Sequence, residues 1–130
     1  MAFLKSFYGL LIFLCVNSVL AQDYTKIINA FSESYKLEEK MKYDEAIKKI
    51  LSVYDEKMYE VNLRLGWLYY LSGKHTESVD YYNRAINVMP YSVEPRWGIV
   101  VPLDALKKTD EMIPHYEKIL EINHDNSIAL

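Results

Sequence analysis

The sequence predicts an all-α fold, and two observations carry that reading. Apolar residues recur at helical rather than alternating spacing, as in Ile27, Ile28, Phe31 and Tyr35. Glycine and proline are scarce, four of each in 130 residues, so little interrupts those helical patterns. The length suits one domain with a modest core. A formal net charge of -3 offers no basic face to a nucleic acid. The single cysteine, Cys15, lies in the N-terminal apolar run, so a chain without that run has neither a disulfide nor a thiolate metal site.

Residues 1–21 have the form of a secretory signal peptide. Lys5 supplies the positive start, Phe7 to Val16 is apolar, and Val19-Leu20-Ala21 leads to a cleavage site before Gln22. The uncharged run Ser6 to Gln22 has 17 residues and includes Asn17 and Ser18, whereas a membrane span needs about 20 apolar residues. An uncleaved membrane anchor is the alternative. After the signal, Tyr24 to about Glu39 reads as a first helix, and Met41 to Ile47 opens a second.

The most specific pattern lies in residues 59–90. Leu65-Gly66, Tyr69, Ser78, Tyr82, Ala85 and Pro90 stand at steps of three (Gly66 to Tyr69), nine, four and eight (Tyr82 to Pro90). These residues and steps resemble one tetratricopeptide repeat (TPR), a helical hairpin of about 34 residues. Ser78 replaces the usual Ala, Asn62 stands where the family prefers a large apolar residue, and His75 where Tyr is common. The first helix should run from Met58 to Leu71 and stop at Gly73, a left-handed position that glycine takes cheaply. Thr76 is expected to cap the second helix, which continues to about Met89 before Pro90 ends it. Gly66, Ser78 and Ala85 are small where the helices cross, while Tyr69 and Tyr82 fill the wedge towards neighbouring hairpins.

The resemblance extends more loosely on both sides. Ala46 aligns with Ser78 at an offset of 32, and the shortening is expected in the loop near Asp55-Glu56-Lys57. With Glu33-Ser34 in place of Leu-Gly, residues 22–57 form a degenerate repeat suited to an N-terminal cap. Residues 59–92 form the near-consensus repeat and 93–126 a decayed one, in which Met112, Tyr116, Ile119 and His124 replace Ser78, Tyr82, Ala85 and Pro90. Pro95 suits the first turn of a helix from Glu94 to Lys107. Pro102 should clash with the carbonyl of Gly98 and cost roughly 3 kcal/mol, which predicts a kink or local opening. Thr109 or Asp110 is expected to cap a last helix carrying Pro114 near its first turn and Ile113, Tyr116, Ile119, Leu120 and Ile122 beyond. Asn123-His124-Asp125-Asn126 resembles an inter-repeat linker, and residues 127–130 the start of a further helix. Ile119 and Leu120 would then meet water, so either the protein continues or that end docks on another chain. The whole is expected to be a right-handed TPR-type α-solenoid of about three antiparallel hairpins following the signal helix.

Little in the sequence points to catalysis. There is no phosphate-binding glycine loop, nucleophile elbow or Cys-His arrangement. Glu111 and His115, one turn apart, lack a third metal ligand and read as a surface pair. No enzyme activity, metal or cofactor is expected. What the resemblance implies is binding, through a concave wall built by the first helix of each repeat. Its contact positions lie three before the repeat glycine, one after it and four after it. These are Leu63, Trp67 and Tyr70, then Trp97, Val101 and Asp104, with Val100 at the glycine position. TPRs that hold a peptide's terminal carboxylate use Lys and Asn at the first two positions, which Leu63 and Trp67 do not provide. Trp67 and Trp97 either line an aromatic groove for a protein or peptide partner, or pack on each other or on a following helix. The pattern looks most like exported bacterial TPR proteins of unassigned role. It implies a periplasmic or secreted scaffold for an envelope complex, or alternatively a structural or self-associating repeat segment.

In an exporting host the mature chain is expected to begin at Gln22. N-terminal sequencing that returns Met1 overturns the cleaved-signal reading.

Overall fold

A computed structural model describes residues 23–128, with side chains as far as His124. The expected signal segment 1–21, and residues 129–130 of the expected further helix, lie outside the described residues. Among the described residues six helices follow one another: α1 over residues 23–39, α2 Tyr43–Leu51, α3 Tyr59–Leu71, α4 His75–Val88, α5 Glu94–Ala105 and α6 Thr109–Ile128. Among the described residues there is no strand, and no helix is long and apolar enough to cross a membrane. The helices pair as three antiparallel hairpins, α1/α2, α3/α4 and α5/α6. Helices α2 to α6 each pack on the next, and α3 also reaches α5, so the first helices of successive hairpins share one layer.

One backbone device closes all three hairpins. Met41, Gly73 and Lys107 have φ of 56°, 78° and 60°. Their N–H groups donate to Glu38, Tyr70 and Asp104 carbonyls at 2.8, 3.0 and 2.9 Å. The next residues, Lys42, Lys74 and Lys108, donate to Leu37, Tyr69 and Leu103 carbonyls at 2.9 Å each. This paired arrangement is the Schellman motif, which satisfies the last carbonyls of the outgoing helix. Glycine marks only the middle turn. The left-handed turn at Lys107 also explains why α5 stops at Ala105, short of the Lys107 end that the sequence suggested.

The same device overturns the expected caps. In each turn the closing lysine is already the residue that precedes the next helix, so no short polar side chain occupies the capping position. Lys74 precedes α4 without a side-chain cap bond, and Thr76 lies inside the first turn. Thr109 and Asp110 likewise belong to α6 itself.

Four further expectations are corrected in whole or in part. The shortening of the first repeat falls mainly on α2, nine residues against fourteen in α4, rather than on the loop 52–58. That loop is anchored by buried Asn62, whose amide donates to the Glu56 and Met58 carbonyls at 2.9 Å each. Its polar side chain therefore stands in place of the apolar residue usual there. Of the kink or opening expected at Pro102, the opening is not formed: α5 runs unbroken from Glu94 to Ala105, and Pro102, buried in its last turns, forfeits a single helical hydrogen bond. Helix α6 continues through Asn123–Asn126, because the linker proline is His124 here and nothing in that stretch stops a helix. Of the two apolar residues expected to meet water, Leu120 is 69% exposed but Ile119 is only 2% exposed.

The core has two parts. Ala46, Ile47 and Ile50 of α2 meet Val61, Leu65 and Leu68 of α3, with Phe31 and Leu37 of α1 alongside. Tyr82 and Ile86 of α4 meet Ile99, Val100 and Leu103 of α5. Of the repeat-packing residues, Leu65, Gly66, Ser78, Tyr82 and Ala85 are buried, Tyr69 is half-buried and Pro90 is exposed. Ser78 Oγ donates to the Gly66 carbonyl at 2.6 Å, a bond that the consensus alanine could not make. Tyr69 stacks on Tyr81 with ring centroids 5.1 Å apart. Tyr82 lies against two glycines, one in its own hairpin and one in the next. A Cβ on Gly66 would stand 2.9 Å from its ring, and one on Gly98 only 2.3 Å.

Gly98→Ala is therefore expected to destabilise the chain by about 1–3 kcal/mol, by forcing the Tyr82 ring aside. Lys107→Gly should stabilise it by about 0.5–1 kcal/mol, since glycine takes the left-handed turn without the Cβ clash. Denaturant midpoints at unchanged slope check both; a neutral Gly98→Ala would remove the close-approach account.

Candidate partner-binding cleft

The first helices of the three hairpins line an open cleft of about 960 Å³. Phe31 and Tyr35 of α1 form one wall, Leu63 and Trp67 of α3 the middle, and Glu94 and Gly98 of α5 the far edge, with part of Tyr82 between. The stripe exists because α3 is apolar nearly all round. Its Val61, Leu65 and Leu68 face the core, which leaves Leu63 and Trp67 for the open side.

A charged group holds the near wall in place. Arg64 is 6% exposed, between two leucines in sequence, and a buried guanidinium is tolerated only with partners. Its Nη1 stands 2.5 Å from Glu38 Oε2. Its Nε donates to Ser34 Oγ at 3.0 Å, and the guanidinium lies 3.9 Å over the centre of the Tyr35 ring. Ser34, at the position of the repeat glycine, in turn donates to the Phe31 carbonyl at 2.9 Å. The other oxygen of Glu38 accepts from Trp67 Nε1 at 2.8 Å. One carboxylate thus ties α1 to α3 and fixes the Trp67 ring, whose opposite neighbour is Tyr70 at 5.7 Å. Trp67 remains 38% exposed.

Five of the six residues proposed from sequence as partner contacts divide between two places. Leu63 and Trp67 line the main cleft. Tyr70, Val101 and Asp104 line a smaller cavity of about 310 Å³ with Val100, Met112 and Tyr116. Trp97 lines neither; it is 52% exposed and meets Tyr116 of α6 edge-on at 5.7 Å. Neither of these two cavities has both Trp67 and Trp97 in its lining. Trp97 stands one repeat beyond Leu63 and packs on the following helix, α6.

Arg64, Glu38 and Tyr35 were missed because the repeat pattern assigns them no role. An arginine inside the apolar run Leu63 to Leu65 was the available signal. Glu111 and His115 sit on α6, where burial first and then the charge of Arg96 push the imidazole below its ordinary pKa, with Glu111 opposing. Among the described residues no three metal-ligating side chains come together.

Residues 59–90 match the family model described as tetratricopeptide repeat. No curated protein matches the chain. Solved structures do. A MamA structure (MSR-1) superposes with a TM-score of 0.68 at 22% identity, covering 77% of this chain and 59% of that one. This chain therefore spans less than two thirds of the MamA structure it matches. The first TPR of Spaghetti (RPAP3), bound to the HSP90 peptide SRMEEVD, gives 0.67 at 21% identity, covering 75% of this chain and 81% of that one. The second TPR of the same protein, with the same peptide, gives 0.67 at 16%, covering 78% and 98%. At these identities the likeness is one of fold: the described chain has the all-α TPR fold.

Glu38→Gln is expected to cost about 1–2 kcal/mol, less than a fully buried pair would because the carboxylate is partly solvated. Combining it with Arg64→Met should recover much of that loss, because the guanidinium is no longer left without its counter-charge. Urea melts of the single and double variants decide it; simple additivity would show that the two groups do not act as a pair.

Proposed function

We propose, for a chain that carries a tetratricopeptide repeat at residues 59–90 and has the fold of such proteins, that it is an interaction scaffold whose cleft between α1, α3 and α5 holds a segment of a partner protein. The observation that carries this reading is Trp67. It stands on a rigid helix, fixed by Glu38 and flanked by Tyr70, yet presents over a third of its surface to an open cleft. Aromatic groups held this way lose little freedom on binding and serve as interface anchors. TPR folds are typical of protein–protein interaction scaffolds, and the Spaghetti TPRs hold a peptide. A cleft of about 960 Å³ suits a few side chains of an extended segment rather than a whole domain. Leu63 and Trp67 disfavour the carboxylate-holding mode, so the occupant proposed here is internal to its chain. The signal-like residues 1–21 add the proposal that the scaffold is exported and serves a cell-envelope complex.

A second reading rests on α6. Ile113, Tyr116 and Leu120 are exposed on it, an apolar face able to meet a second copy or further repeats.

Trp67→Ala is expected to weaken partner capture tenfold or more while circular dichroism stays unchanged, and Trp97→Ala to leave capture intact. Capture indifferent to Trp67 would overturn the cleft reading. If the second reading holds, light scattering detects an oligomer that Leu120→Glu dissolves; a monomer at all concentrations excludes it.

A further inference from the structure

We infer that the cleft selects a cationic segment, one that places lysine or arginine side chains around an apolar or aromatic residue. The inference rests on the cleft being the binding site and goes on to name the chemistry of its occupant. Four carboxylates, Glu38, Glu39, Glu60 and Glu94, line the cleft, against the single cation Arg64. Arg64 is consumed by Glu38. Among the described residues, Glu94 accepts a bond only from the neutral Tyr59 hydroxyl, at 3.2 Å. Glu39, Glu60 and Glu94 thus form no ion pair among the described residues.

Acidic side chains alone would be an ordinary solvated face. Here they surround a concavity walled by Phe31, Tyr35 and Trp67, and low-dielectric walls concentrate the field of like charges within a cleft. The same walls offer ring faces, which attract cations. Arg64 demonstrates the pairing inside the protein: its guanidinium rests on the Tyr35 ring while a glutamate holds its edge. A partner arginine or lysine would repeat that arrangement on the solvent side, with the carboxylates as the polar rim and Trp67 as the apolar anchor. An acidic segment would meet three unmatched carboxylates and be repelled.

The test uses three labelled octapeptides with blocked ends, alternating lysine-leucine, glutamine-leucine and glutamate-leucine, titrated into the purified chain by fluorescence anisotropy. The lysine peptide should bind about tenfold more tightly than the glutamine peptide, the glutamate peptide most weakly, and the differences should shrink as salt rises. Replacing Glu39, Glu60 and Glu94 together by glutamine should equalise the lysine and glutamine peptides without loss of helicity. Equal binding of all three to the unaltered protein, lost in Trp67→Ala, overturns the charge preference and leaves the cleft reading standing. Preference that persists in the triple variant also overturns it. Failure of every peptide to bind overturns both, and light scattering on the same samples shows whether a second copy fills the cleft instead.

Discussion

The stacking of hairpins depends on the contact between one tyrosine and two glycines. The Tyr82 ring has no room for a methyl group on Gly66 behind it or on Gly98 ahead of it. It therefore sets the spacing both within the second hairpin and between the second and third. Burial holds its phenol well above the usual tyrosine pKa, so it remains a neutral packing group at any physiological pH. The second half of the core, Ile86, Ile99, Val100 and Leu103, gathers around it. The cleft inherits its far edge from the same contact, because Gly98 and Tyr82 both form part of the lining.

The near wall is held differently. Between α1 and α3 the repeat glycine is replaced by Ser34, and polar bonds join the apolar contacts there. Arg64, Glu38, Ser34 and Tyr35 form a local network that is expensive to leave half-satisfied, so its parts must be placed together. That network also aims Trp67. The binding surface is thus framed by two kinds of contact, close packing on one side and charge pairing on the other.

The hairpin of residues 59–90 was legible in the sequence because its signals are local: small residues at crossings, aromatic wedges, Gly73 at a left-handed turn. The turns at Met41 and Lys107 were not, since neither residue advertises a positive φ and their conformation follows from the helices that meet there. Helix α6 was misjudged past Ile122 because likeness to a linker outweighed the absence of any residue that breaks a helix. The cleft was half legible. Leu63 and Trp67 follow from repeat position, whereas Arg64 and Glu38 are brought together only by the packing of α1 on α3, across 26 residues of chain. The placement of Trp97 was likewise hidden, because it repeats the position of Leu63 yet packs edge-on against Tyr116 of α6 instead of lining the cleft.

The three lysine-closed turns have a consequence for how such an array can diverge. Methionine, glycine and lysine occupy the left-handed position in turn, yet each turn is held by the same two backbone bonds. Geometry stored in the main chain is indifferent to most side chains, so the angle of a hairpin can outlast the residues that first specified it. The family model registers one repeat at residues 59–90, while the backbone closes three hairpins in the same way. Positions carrying αL turns, rather than conserved letters, are then the more durable ruler for counting repeats in a chain whose consensus has worn away.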